Sequence, residues 1–145
     1  SQLDRFLMRL SLGFPSRDAE ARMLLAGGQP SAPLSGQLQA ADLLALQAQA
    51  SHQHCEPALV DYILDLLEAS RQASHRHSPL SPRAGLALLA AARAWSLLEG
   101  RSYVIPADVQ AVFSAVAEHR LDGGRSADGD GHHSQTLLDR VDAIR

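Results

Sequence analysis

Polar positions nearly disappear between Ser81 and Gly100. In SPRAGLALLAAARAWSLLEG only Arg83, Arg93, Ser96 and Glu99 interrupt a surface whose Leu, Ala and Trp side chains point in nearly every direction. A helix apolar almost all round is the buried helix of its domain, so the pattern predicts that the others pack around this one. Its ends are marked: Ser81 is a good N-cap, Pro82 takes the first helical position where its missing N–H costs nothing, and Gly100 suits a left-handed C-terminal cap.

The chain opens differently. Phe6, Met8, Leu10, Leu12 and Phe14 alternate with Leu7, Arg9, Ser11 and Gly13, a period of two that predicts a strand over residues 5 to 14. A strand is not stable alone, and no second convincing strand follows. The expectation is therefore an orphan strand whose partners lie outside this chain or in another copy, which makes the chain a piece of something longer; the alternative is a segment that is disordered or curls into helix. After Pro15, Ser16 caps a short helix at 17 to 25 with Asp18 and Glu20 in its first turn, where acids are favoured. A Gly, Pro and Ser-rich loop covers 27 to 37. Helices are predicted at 40 to 50 and at 57 to 73, the second with an apolar stripe of Leu59, Ile63, Leu66 and Leu67. Pro106 starts a helix lined by Val109, Val112, Phe113 and Val116 and closed by His119 and Arg120. Residues 122 to 133 are acidic and Gly-rich, with little to bury, and Leu137, Leu138, Val141 and Ile144 fit a last short helix.

Composition agrees with helix. The chain has 145 residues, 46% of them hydrophobic but only 4% aromatic, so its core is built from Leu, Ala and Val. No apolar run approaches the roughly 20 residues of a membrane span, and no secretory signal opens the chain. Cys55 is the lone cysteine, which excludes an internal disulfide and points to a reducing cytoplasm. Net charge is −3, and the basic residues, all Arg apart from His, are scattered rather than gathered in the stripe a nucleic-acid binder shows.

Chemistry is sparse. Without Lys there is no phosphate loop, and no dinucleotide or nucleophile-elbow motif occurs, so this chain alone should catalyse nothing. His52, His54, Cys55, His75 and His77 lack the spacing of a zinc site, so no metal is expected. One oddity remains. Arg83 lies in the first turn of the central helix, where the helix dipole repels a cation. It is either an arginine leaning into solvent or half of an anion site, because a helix N-terminus and a guanidinium together suit phosphate.

Three stretches, LDRFLMRLSLGFP, SPRAGLALLAAARAWSLLEGRSYVIPADV and AEHRL, in this order and spacing, resemble the C-terminal part of MoxR-type AAA+ ATPases over about residues 2 to 121. The resemblance implies an all-α helical bundle, the AAA+ lid, over residues 16 to 121, preceded at 1 to 15 by the last strand of an α/β ATPase core and followed at 122 to 145 by a flexible segment and short helix. It implies ATP and Mg²⁺ bound in the intact parent, with none expected on this chain by itself. Arg83, in SPRA, aligns with the family's sensor-2 arginine, which reaches the nucleotide phosphates. Arg5, in LDRF, sits where the family has its candidate arginine finger, although a strand-end arginine needs no such role. The implied partners are the upstream core, further copies in a ring, commonly a hexamer, and a von Willebrand A-domain protein, in chaperone-like remodelling. The alternative is a helical interaction module that never meets a nucleotide. Where the family commonly has Thr before the proline of the 106 helix, Ile105 stands and offers no capping oxygen.

Overall fold

The Ser81 hydroxyl accepts the Ala84 N–H at 3.2 Å, as an N-cap should, and Gly100 ends the same helix with φ +72°. These caps belong to a computed structural model that describes residues 2–27, 35–36, 38–72, 78–123 and 132–143. A 3-10 turn (Gln2–Arg5) is followed by α1 (Arg17–Leu25), α2 (Ala40–Ser51), α3 (Pro57–Gln72), α4 (Pro82–Leu98), α5 (Pro106–Leu121) and α6 (His132–Leu138). Most of the Gly/Pro-rich loop, His75, His77, most of the acidic segment and Ile144 lie outside the described residues.

α4 is the hub, packed against α5, α3 and α2, while α6 lies across α5 and α3. Their shared core holds Leu66, Leu88, Ala92, Val109, Phe113 and Val116, none more than 2% exposed. The predicted stripe of α3 is buried, as is the predicted face of α5. Gly85 makes room for Leu67 of α3: a Cβ there would meet Leu67 Cδ1 at 2.9 Å, so the leucine side chain would have to shift. α4 is central but not buried all round, since Leu86 and Leu98 are 72% and 79% exposed. Three neighbouring helices cover only part of its circumference.

The expected strand over residues 5–14 is not formed. Residues 6–16 follow the 3-10 turn without regular structure, and among the described residues no strand is present to pair with them. The backbone groups of a strand need a ladder, and alternation cannot supply one. Of the alternating side chains only Met8 touches the core; Leu10, Leu12 and Phe14 face solvent. The Arg9 N–H instead donates to the Ala115 carbonyl at 2.8 Å, tying the segment to α5.

The connectors are held by polar groups. His54 N–H donates to Ser102 O at 3.1 Å and Val104 N–H to His54 O at 2.9 Å, a single parallel bridge joining the α2–α3 and α4–α5 links. At the start of α5, where Ile105 brings no acceptor, the Asp108 carboxylate accepts the Ile105 N–H at 2.9 Å. The same carboxylate takes a bidentate pair of bonds from Arg101 at 2.7 and 2.5 Å. Burial alone would raise the Asp108 pKa, but the Arg101 guanidinium and the Ile105 N–H outweigh it and hold the carboxyl below its ordinary value. At the other end of α5, buried Glu118 accepts the N–H groups of His133 and Ser134 at 3.2 and 2.7 Å and so closes the start of α6.

Two stability predictions result. Phe113→Ala should cost about 3–5 kcal/mol, read as a lower denaturant midpoint at unchanged slope, because the site is fully enclosed; a loss under about 1 kcal/mol would contradict that enclosure. A carboxyl whose folded pKa is depressed adds stability that is complete above its unfolded pKa, about 3.9, and is lost as pH falls through the folded value. Asp108→Asn should therefore be less stable than wild type at pH 7 and lose less on acidification to pH 3. Parallel losses in the two proteins would rule out this role for Asp108.

Candidate functional site

Arg83 is the second residue of α4, immediately after Pro82. Its side chain is exposed, and among the described residues no hydrogen bond or ion pair engages the guanidinium. It acts electrostatically on Asp4, whose carboxyl lies near enough for Arg83 to help lower its pKa. Arg5 is exposed too, at the end of the 3-10 turn, with its guanidinium equally uncommitted among the described residues.

The Asp4 carboxylate explains how the two arginines come to one end of the bundle. Asp4 Oδ1 and Oδ2 each lie 3.1 Å from the Ser81 hydroxyl that donates to them, and the same hydroxyl caps Ala84. Asp4 Oδ1 also accepts from Arg120 Nε at 3.0 Å. Burial pushes the Asp4 carboxyl up, while bonds from Arg120 and Ser81 and the charges of Arg120 and Arg83 bring it below the ordinary value. Arg120 then fans out along the N-terminal segment. Its Nη2 donates to Phe6 O at 2.5 Å and Asp4 O at 3.4 Å, and its Nη1 to Leu7 O at 3.2 Å and to Val116 O one turn back in α5. Only 4% of this side chain is exposed, so nearly all its donors are spent inside the protein.

The sequence places Arg120 in the last turn of α5, at the negative end where a cation is favoured, and it lies there. What escapes the sequence is the burial and the partners. Asp4 and Arg120 are 116 residues apart, and no local spacing links them. The available signal is that Asp4, Ser81 and Arg120 fall one in each of the three stretches LDRF, SPRA and AEHRL.

Of the histidines considered for a metal, His52 and His54 are described, and each has a partner of its own. His54 bonds Glu56 Oε1 at 2.8 Å and the His52 ring bonds the Ala48 carbonyl at 2.7 Å, both on the surface. Among the described residues no three His, Cys, Asp or Glu converge. Cys55 is partly buried and its pKa is raised, chiefly by desolvation. No helix among the described residues is long and apolar enough to cross a membrane.

Comparison with known proteins agrees with this architecture. The AAA lid domain family matches residues 68–141, just over half of the chain. The chain is 36% identical over 130 residues to "Chaperone MoxR1" of Mycobacterium tuberculosis, covering 83% of this chain and 34% of that protein. It is 35% identical over 144 residues to "Protein MoxR" of Paracoccus denitrificans, covering 81% and 41%. An "Uncharacterized protein YeaC" of Bacillus subtilis is 32% identical over 123 residues, covering 83% and 38%. The chain thus spans between a third and two fifths of the length of the curated relatives it matches. A crystal structure of a candidate ATPase from Cytophaga hutchinsonii shares the fold, with a TM-score of 0.73 at 22% identity over 97% of this chain and 47% of the other. The chain belongs to the AAA lid domain family and is homologous to MoxR chaperones over their C-terminal region.

Proposed function

We propose that this chain is the lid of a MoxR-type AAA+ ATPase and that Arg83 is its phosphate sensor. The observation that supports the reading is the placement of Arg83: an exposed guanidinium that no hydrogen bond or ion pair engages among the described residues, in the first turn of a 17-residue helix where the dipole disfavours a cation, with the Asp4 carboxylate as the anion acting on it there. A nucleotide phosphate would gain both the guanidinium and the positive end of α4. The first turn itself carries no acidic residue, and the Asp4 carboxylate beside it is engaged by Ser81 and Arg120.

In this reading residues 1–15 lead out of an α/β core that binds ATP and Mg²⁺, residues 16–121 form the lid, and 122–145 are an appendage. Arg5 is the matching candidate for a finger that points at the nucleotide of a neighbouring subunit in a ring, commonly a hexamer, and its exposed guanidinium, engaged by none of the described residues, is compatible with that use. The lid swings when ATP binds between core and lid and passes that motion to a client, with a von Willebrand A-domain protein as partner, in the cytoplasm. The likeness to "Chaperone MoxR1" supports the remodelling role.

A second reading, a helical interaction module indifferent to nucleotide, draws on the exposed apolar residues of α1 and α2, among them Met23, Leu24, Leu25, Leu43 and Leu44. It also draws on an apolar groove of about 360 Å³ between α3 and α4, lined by Val60, Leu64, Leu67, Leu86 and Leu89. One assay separates the two. In the intact ATPase, Arg83→Ala should lower the hydrolysis rate about tenfold or more, some 1.4 kcal/mol at the transition state, with the fold intact by circular dichroism. An unchanged rate would remove the sensor role and leave the interaction module as the better account.

A further inference from the structure

We infer that Asp4, Ser81 and Arg120 form a latch that sets the two candidate nucleotide arginines, Arg5 and Arg83, in one rigid frame, so that these three are positioning residues for phosphate chemistry. The inference rests on the sensor reading above and adds residues that reading does not use.

The geometry is specific. Asp4 precedes Arg5, and Ser81 lies two residues before Arg83. The Ser81 hydroxyl has one proton to give and lone pairs to accept with. It gives the proton to the Asp4 carboxylate and accepts the Ala84 N–H, so the bond that fixes the first turn of α4 runs through the atom that grips Asp4. On the other side, Arg120 Nη2 holds the carbonyls of residues 4 and 6, which bracket the backbone of Arg5. Arg120 itself is anchored to α5 through the Val116 carbonyl. Neither Arg5 nor Arg83 is spent in this network; both are carried by it. Charge-assisted bonds to a mostly buried guanidinium are short and directional, which suits a frame rather than a hinge.

A structural residue and a positioning residue differ in how their loss combines with loss of the group they position. In the intact ATPase, Asp4→Asn should lower kcat about five- to tenfold, because Asn keeps the shape but not the charge that holds the Ser81 proton and Arg120. In an Arg83→Ala background the same change should lower kcat little further, since the arginine it positions is gone. Ser81→Gly, at an N-cap that tolerates glycine, should reproduce the effect, and Ser81→Thr, which keeps the hydroxyl, should restore the rate. The Ser81 series decides the matter if Asp4→Asn fails to fold. Arg83→Ala lowering the rate while Asp4→Asn and Ser81→Gly leave it unchanged would overturn the latch and keep the sensor. Multiplicative losses in the two backgrounds would overturn the latch as well. No effect of Arg83→Ala would overturn the sensor and, with it, the latch.

Discussion

A buried guanidinium with its donors satisfied governs this structure. Arg120 is almost wholly enclosed, and a charge so placed is tolerable only when it is paired and hydrogen-bonded. The Asp4 carboxylate supplies the pairing, and three carbonyls of the N-terminal segment with the Val116 carbonyl of α5 supply the rest. The requirement works in both directions. Arg120, with the Arg9 N–H on the Ala115 carbonyl and Met8 on the core, lays the N-terminal segment along α5; without that segment Arg120 would lose its carboxylate partner.

The helices were legible because each carries its own punctuation and periodicity. Ser16, Ser81, Pro57, Pro82, Pro106 and Gly100 mark ends, and the stripe of α3 and the Val/Phe face of α5 report burial at helical spacing. Such signals are local, and local physics decides them. Alternation over residues 5–14 is equally local, but a strand depends on a partner that is not local, and here no partner is among the described residues. The same limit hid the network around Arg120. Nothing within a few residues of Asp4 announces a bond across 116 positions, whereas Arg83 could be singled out because its conflict with the helix dipole is contained within one turn. α4 shows the intermediate case: its apolar surface correctly marked the hub, but how much of that surface is covered depends on how many neighbours the fold provides.

Two polar devices at the two ends of α5 follow one logic. Asp108 closes the start of α5 and binds Arg101, and Glu118 near its end closes the start of α6. Each places a buried carboxylate on N–H groups that a helix start leaves unsatisfied. Asp4 does the same for α4 at one remove, through the Ser81 hydroxyl. The bundle is therefore apolar in its middle and fixed in direction by acids where its helices begin, which is why Ile105, with no capping oxygen, still heads a well-made helix.

Gly85 gives α4 a mechanical character. With no Cβ at Gly85, the Leu67 side chain of α3 reaches the α4 backbone within one turn of Arg83, at the edge of the apolar groove. From Gly85 to Leu98 the helix runs about 20 Å, so a tilt of ~10° about that contact would carry its far end through about 3 Å. The far end bears Trp95 and Leu98, both partly or largely open to solvent. Because one helix bears both the Arg83 end and an open apolar end, any displacement of α4 as a body moves the two together.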